Sequence, residues 1–237
     1  MHHRLFLLFF VATLGISNVN AQQTDTVRHI QHPWIHATIA PAALTAGSLI
    51  LLDPNGGGHT IIHNIDGFNT PVDDYMQFVP LLSVYALNLS GVKGKHRLGE
   101  ASWLMLKSEL LMAALVFPIK NLTGVPRPNG TNNNSYPSGH TAQAFLAATF
   151  LHKEYGDKSI WYSIGGYSIA SATGVLRILK NRHRLTDVLL GAGIGILSTN
   201  VVYLTHKPWK GKHLLSQVHL MPTFERKAVG FNLIWSP

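Results

Sequence analysis

From residue 35 to residue 205 the chain repeats one pattern: a long apolar stretch, then a short polar break rich in glycine and proline. The apolar stretches cover 35–52, 75–89, 101–119, 140–155, 160–179 and 185–205. Each is long for a strand, and none sustains a two-residue alternation, so the pattern predicts six helices. The breaks fall at 54–58, 91–94, 126–137 and 156–157, where glycine and proline interrupt regular structure. Two stretches, 159–176 and 188–205, are uncharged over about the length of a membrane span and carry the glycines that close helix packing requires. Lys107 and Glu109 interrupt the third stretch at a spacing that does not bring them face to face on a helix.

The two ends of the chain differ from this pattern. Residues 1–21 begin with Met1-His2-His3-Arg4, continue through an apolar run from Leu5 to Ile16, and end with small residues at Val19 and Ala21. That order predicts a secretory signal cleaved after Ala21, since the run is short for a membrane span. At the other end, 218–222 and 229–235 are short, with β-branched and aromatic residues on either side of the charged turn Glu225-Arg226-Lys227, which predicts a hairpin or packed tail. The expected organisation is a signal at 1–21, a helical domain at 22–210 and a C-terminal tail at 211–237. The fold class is all-α, a six-helix bundle with its site at one end and a short tail of β character.

Composition sharpens this reading. The chain has 237 residues, a net charge of +8 and only 13% charged residues. High apolar content excludes intrinsic disorder. The absence of cysteine excludes disulfide scaffolds, zinc–thiolate sites, iron–sulfur clusters and cysteine nucleophiles. Scarce charge with a positive balance points to a membrane and an anionic partner, and argues against a nucleic-acid surface.

Three clusters at helix ends carry candidate chemistry. Lys120 and Arg127 lie where the third helix breaks; Ser138, Gly139 and His140 open the fourth; Arg177, His183 and Asp187 join the fifth to the sixth. In an up-and-down bundle these ends share one face. Lys120 supplies a point charge, and the Arg127 and Arg177 forks match phosphate oxygens. Ser138 and Gly139 open a helix whose N–H groups favour an anion. His183 and Asp187 stand at i, i+4, where a carboxylate fixes one imidazole nitrogen and leaves the other free to attack phosphorus. His140 stands across the site as general acid. Carboxylates are too few for a magnesium site, so the expectation is metal-independent and cofactor-free catalysis. His59, His63 and Asp66 have metal-compatible spacing but fall in a segment, 53–74, that reads as loop. Arg182 and Arg184 flank His183 and are read either as steering an anionic head group or as solvated loop cations. Tyr136 is read either as lining the entrance or as starting the fourth helix.

Lys-x6-Arg-Pro, Pro-Ser-Gly-His and Arg-x5-His-x3-Asp, in this order over 120–187, resemble the type 2 phosphatidic acid phosphatase superfamily, which includes vanadium haloperoxidases and bacterial class A acid phosphatases. The resemblance implies that His183 is the nucleophile and forms a phosphohistidine, that Asp187 supports it, and that His140 protonates the leaving group. Lys120, Arg127, Ser138, Gly139 and Arg177 are implied to bind phosphate. One position departs from the family pattern: the third motif usually has a serine before its arginine, and here that residue is Leu176.

The expected partners are a phosphorylated lipid and a membrane, with phosphatidic acid, phosphatidylglycerol phosphate, undecaprenyl diphosphate and lipid A phosphate as candidate substrates. A soluble periplasmic acid phosphatase and a vanadate-dependent haloperoxidase are the alternatives. Lys93, Lys95, Arg97, Lys153, Lys158, Lys207, Lys210 and Lys212 fall away from the site, so the positive-inside tendency predicts a periplasm-facing site in the inner membrane. Combined with a cleaved signal this requires five crossings, with 35–52 lying along the interface or dipping in without crossing.

Overall fold

The computed structural model describes residues 33–52 and 68–207 and the strands at 218–225 and 228–235. The expected signal and the His59, His63 and Asp66 group lie outside the described residues. The chain divides into two compact units, one ending at Thr205 and one beginning at His206. The described residues of the first form seven helices: α1 Pro33–Ile50, α2 Val72–Met76, α3 Val79–Leu89, α4 Leu98–Thr123, α5 Gly139–Tyr155, α6 Ile160–Leu179 and α7 Leu185–Thr205. The second contains an antiparallel hairpin of β1 Val218–Glu225 and β2 Ala228–Trp235, paired from Val218 with Trp235 to Glu225 with Ala228.

The expected all-α bundle is present, and the described residues of 35–205 form one more helix than the six predicted there. The extra element arises because the second apolar stretch is divided. It begins earlier, at Val72, inside the segment read as loop, and breaks at Gln77 and Phe78 before α3. Pro80 explains the break, because it lacks the N–H and its ring opposes the carbonyl four residues back; it sits instead in the first turn of α3. At the other end of the next helix, Gly124 closes α4 in the left-handed region at φ 57°, its N–H returning to the Lys120 carbonyl at 3.2 Å.

Helix α5 is the centre of the bundle. It packs against α3, α4, α6 and α7, while α7 also carries α1. Leu146, Ala147, Ala148 and Phe150 are fully buried along it. Each large apolar side chain so buried contributes about 1.5–3 kcal/mol. The α5–α7 contact depends on small residues: a Cβ placed on Gly191 would stand 2.5 Å from the Ser138 carbonyl oxygen.

Helix α1 runs antiparallel to α7 over nearly its whole length. Asn200 Nδ2 donates to the Ala37 carbonyl at 2.8 Å, and Ser48 Oγ donates to the Thr186 carbonyl at 2.9 Å. This corrects the expectation that 35–52 lies along an interface. Pro41 and its modest length suggested that placement, but Gly193 lets α7 approach the Pro41 carbonyl and Thr45 closely enough to seat α1 lengthwise. The helical unit therefore passes six times between its two ends.

Among the described residues, two helices, α4 and α7, are long and apolar enough to cross a membrane. They differ in setting. Helix α7 is mostly interior, whereas α4 turns Trp103, Leu106, Leu110 and Phe117 outward. The end opposite the sequence motifs is closed by Glu154, which accepts from Tyr203 OH at 2.6 Å and from the His96 N–H at 2.9 Å. Tyr155 OH donates there to the Val92 carbonyl at 2.9 Å.

Candidate active site

The site is built where α4 ends, α5 and α7 begin and α6 ends. Short main-chain bonds join these ends directly. The Ser138 N–H donates to the Asp187 carbonyl at 2.9 Å, and the His183 N–H donates to the Arg177 carbonyl at 3.2 Å. The loop between α6 and α7 turns through Asn181 at φ 55°, a left-handed conformation that asparagine tolerates. Lys120, in the last turn of α4, donates from Nζ to the Asn134 carbonyl at 2.9 Å and the Pro137 carbonyl at 2.6 Å. Lys120, Arg127, Ser138, Gly139, His140, Arg177, His183 and Asp187 are thus collected at one end of the bundle.

Asp187 Oδ2 is the hub of the pair it forms with His183. It accepts from Ser135 Oγ, from the Arg184 N–H at 2.9 Å and from His183 Nδ1 at 3.3 Å. With Nδ1–H turned to the carboxylate, the lone pair of His183 lies on Nε2. His183 is only 2% exposed, so a reacting group must reach into the site. Burial pushes its pKa down to about 4; Asp187 pulls the other way, and Arg177 and Lys120 add to the depression. The imidazole is therefore neutral and nucleophilic across the physiological range.

The anion cradle retains unused donors. Arg127 Nε and Arg177 Nε are buried and have no hydrogen-bond partner among the described residues. An orphaned guanidinium N–H is costly, and two of them beside a buried neutral imidazole form a pocket suited to a phosphate oxygen. Arg127 is held by its loop: its N–H donates to the Asn132 carbonyl at 2.8 Å, and its carbonyl accepts from the Gly130 N–H at 2.9 Å. Lys120 has three donors and spends two on the loop, leaving one.

Ser138 ties the site's elements together. Its N–H is spent on Asp187, its hydroxyl lies 2.9 Å from Thr141 Oγ1, and it is fully buried. It caps α5 and ties it to α7, leaving Gly139 and the positive end of α5 to face an anion. Tyr136 neither lines an entrance nor starts a helix. It is 5% exposed, with its hydroxyl 3.0 Å from Ser48 Oγ on α1. Arg184 is anchored through Nη1 to the Pro126 carbonyl at 2.9 Å, which fixes the Arg127 loop to the α6–α7 loop. Leu176 brings no polar group, and its carbonyl accepts the Lys180 N–H at 3.0 Å.

Sequence reasoning missed the short helix α2 as part of the site. Asp73 is fully buried and divides its oxygens between Arg177 Nη1 at 2.8 Å and Lys180 Nζ at 2.6 Å. Burial raises its pKa, but Lys180 and Arg177 more than offset this and hold it below the ordinary carboxylate value. Asp74 places Oδ1 2.8 Å from His140 Nε2 and 3.6 Å from Arg177 Nη1. The one legible signal was the paired aspartates on the site side; their partners are 66 and 104 residues away in sequence.

Comparison with known proteins adds the following. The PAP2 superfamily model matches residues 101–210, which contain all three motifs. The chain is 46% identical over 141 residues to a lipid A 1-phosphatase of Porphyromonas gingivalis, covering 57% of this chain and 31% of that protein. It is 33% identical over 82 residues to a lipid A 1-phosphatase of Helicobacter pylori, covering 35% of this chain and 41% of that protein. The chain thus spans less than half the length of these relatives. Among solved structures, Aquifex aeolicus LpxE is similar at 23% identity and a TM-score of 0.44, covering 59% of this chain and 89% of that one.

Proposed function

We infer from the match of the PAP2 superfamily model to residues 101–210 that this chain is a membrane phosphatase that removes phosphate from a lipid through a phosphohistidine on His183. The observation that carries this reading is the buried His183 held by Asp187, together with two arginines whose buried Nε groups have no partner among the described residues. In the first step His183 Nε2 attacks phosphorus as the P–O bond to the leaving group breaks, and His140 passes a proton to the departing oxygen. In the second, water gives a proton to His140 and attacks the phosphohistidine, the P–N bond breaks, and inorganic phosphate leaves. Lys120, Arg127, Arg177 and the start of α5 hold the charge on the phosphoryl oxygens in both steps.

The substrate class is a lipid A-type 1-phosphate. The names of the two curated relatives support this choice over phosphatidic acid, phosphatidylglycerol phosphate and undecaprenyl diphosphate. The outward apolar face of α4 supports a membrane enzyme over a soluble periplasmic one. The lysines and arginine at Lys93, Lys95, Arg97, Lys153 and Lys158 support a periplasm-facing site, with the opposite end in the cytoplasm.

The test is incubation of the purified chain, in detergent, with lipid A and with phosphatidic acid. Mass spectrometry should find lipid A with one phosphate fewer, and faster turnover of lipid A than of phosphatidic acid. Failure to release phosphate from any lipid would overturn the reading; preference for phosphatidic acid would overturn the substrate assignment alone.

A further inference from the structure

Helix α2 lies at the mouth of the site and is pinned there by charge. Buried Asp73 locks it to Arg177 and Lys180, and Lys180 Nζ also donates to the Thr70 carbonyl at 2.6 Å. Gln77 Nε2 donates to the Asp74 carbonyl at 2.7 Å, fixing the backbone of the next residue. Asp74 therefore has little freedom in where its carboxylate sits, although its side chain is half exposed. It meets His140 Nε2 at 2.8 Å, as close as a charge-assisted hydrogen bond.

We propose that Asp74 is the positioning residue of the general acid: its carboxylate holds His140 through Nε2–H and turns the other ring nitrogen towards the leaving oxygen. The inference rests on the reading of His140 as general acid given above. Burial and Arg177, on α6, disfavour the charged ring and hold its pKa below the ordinary histidine value, while Asp74 and Asp73, both on α2, oppose them. Asp73 is already spent on two cations, so Asp74 is the carboxylate directly bonded to the ring. With Nε2–H engaged, the other ring proton passes to the departing oxygen as the P–O bond breaks. The now neutral ring then takes a proton from the attacking water, and the Asp74 bond is restored around an imidazolium. Asp74 does to His140 what Asp187 does to His183, but with the opposite outcome: one carboxylate orients a neutral nucleophile and the other stabilises a charged acid.

The test is Asp74→Asn in the full purified chain, measured on 4-nitrophenyl phosphate, which has a good leaving group, and on an alkyl phosphate, which has a poor one. Asparagine keeps an acceptor at the same place but removes the charge. The expected result is a loss of about 10- to 100-fold in kcat on the alkyl ester and several-fold at most on the nitrophenyl ester, with KM little changed for either. Asp74→Glu should recover part of the alkyl rate, and serves as the second variant if the asparagine protein does not accumulate. Equal losses on both esters, or none, would overturn the role assigned to Asp74. His140→Ala distinguishes this from a failure of the underlying reading, because full activity of that variant on the alkyl ester would mean that His140 is not the acid at all.

Discussion

Gly191 of α7 lies so close to Ser138 that a methyl group on it would stand 2.5 Å from the Ser138 carbonyl oxygen. Four residues on, Gly195 faces the α5 backbone in the same way. The contact is backbone against backbone, with no flexible side-chain end to yield. It sets the separation of the two helix starts that carry His140 and Asp187.

Gly191→Ala is therefore expected to destabilise the protein by about 1–3 kcal/mol, since an added methyl in a packed core forces the backbone apart. For a unit of this size that lowers Tm by roughly 3–10 °C. The activity loss should exceed what the lost stability accounts for at the assay temperature, because the same shift separates His140 from the catalytic pair. Thermal unfolding in detergent together with kcat at low temperature measures both. An unchanged Tm would show that the helices do not pack as described.

His183→Ala should lower phosphate release by about 10⁴-fold or more, since no other group among the described residues stands at its position. Quenching wild-type turnover on radiolabelled substrate should trap phosphate in an acid-labile, base-stable bond, and the alanine protein should trap none. Normal release by purified His183→Ala would defeat the covalent mechanism.

The depressed pKa of His183 has a consequence for acid stability. Its folded pKa is about 4 and its unfolded value about 6.5. Between these values the unfolded chain binds the proton more readily, so stability falls as pH drops from about 6.5 to about 4 and falls no further from this group below that. The full effect is roughly 3 kcal/mol. His183→Asn has no such group. Its Tm should fall less than that of the wild type over this window, and parallel Tm–pH curves for the two proteins would contradict the burial of a neutral imidazole.

Because the chain contains no cysteine, single cysteines can report sidedness without background. The six passes of the helical unit place Pro33 and Thr205 at the end opposite the site. With the site in the periplasm, Asn132→Cys should react with a membrane-impermeant thiol reagent in intact spheroplasts, and Lys95→Cys should not. The reverse pattern would place the site in the cytoplasm, as a cleaved signal followed by six crossings requires.

The sequence made the motif residues legible because each stands beside a helix end, and the glycine and proline breaks announce those ends. Helix parity then brought Lys120, Ser138, Arg177 and Asp187 to one face without any knowledge of distances. Asp73 and Asp74 could not be read in this way. Helix α2 is only five residues long, too short for a periodic signal, and its position depends on an ion pair with Arg177 and Lys180 that no local rule encodes. The same holds for Ser48 and Tyr136, whose hydrogen bond spans 88 positions. The lengthwise seating of α1 was misread because Pro41 argues locally for a break, while the compensating feature, Gly193, lies on another helix. The structural ties of Ser138 were hidden for a related reason: the motif gives its place but not its partner, and its N–H is spent on Asp187.

Helix α4 joins two surfaces that answer to different demands. Lys120 in its last turn is fastened to the loop that frames the chemistry, whereas Trp103, Leu106, Leu110 and Phe117 look away from the bundle. Substitutions among those four can change which hydrocarbon neighbours the protein tolerates without disturbing a single bond at the reacting end. A scaffold arranged in this way can be fitted to new membranes and new lipid tails while the phosphoryl-transfer machinery is inherited intact.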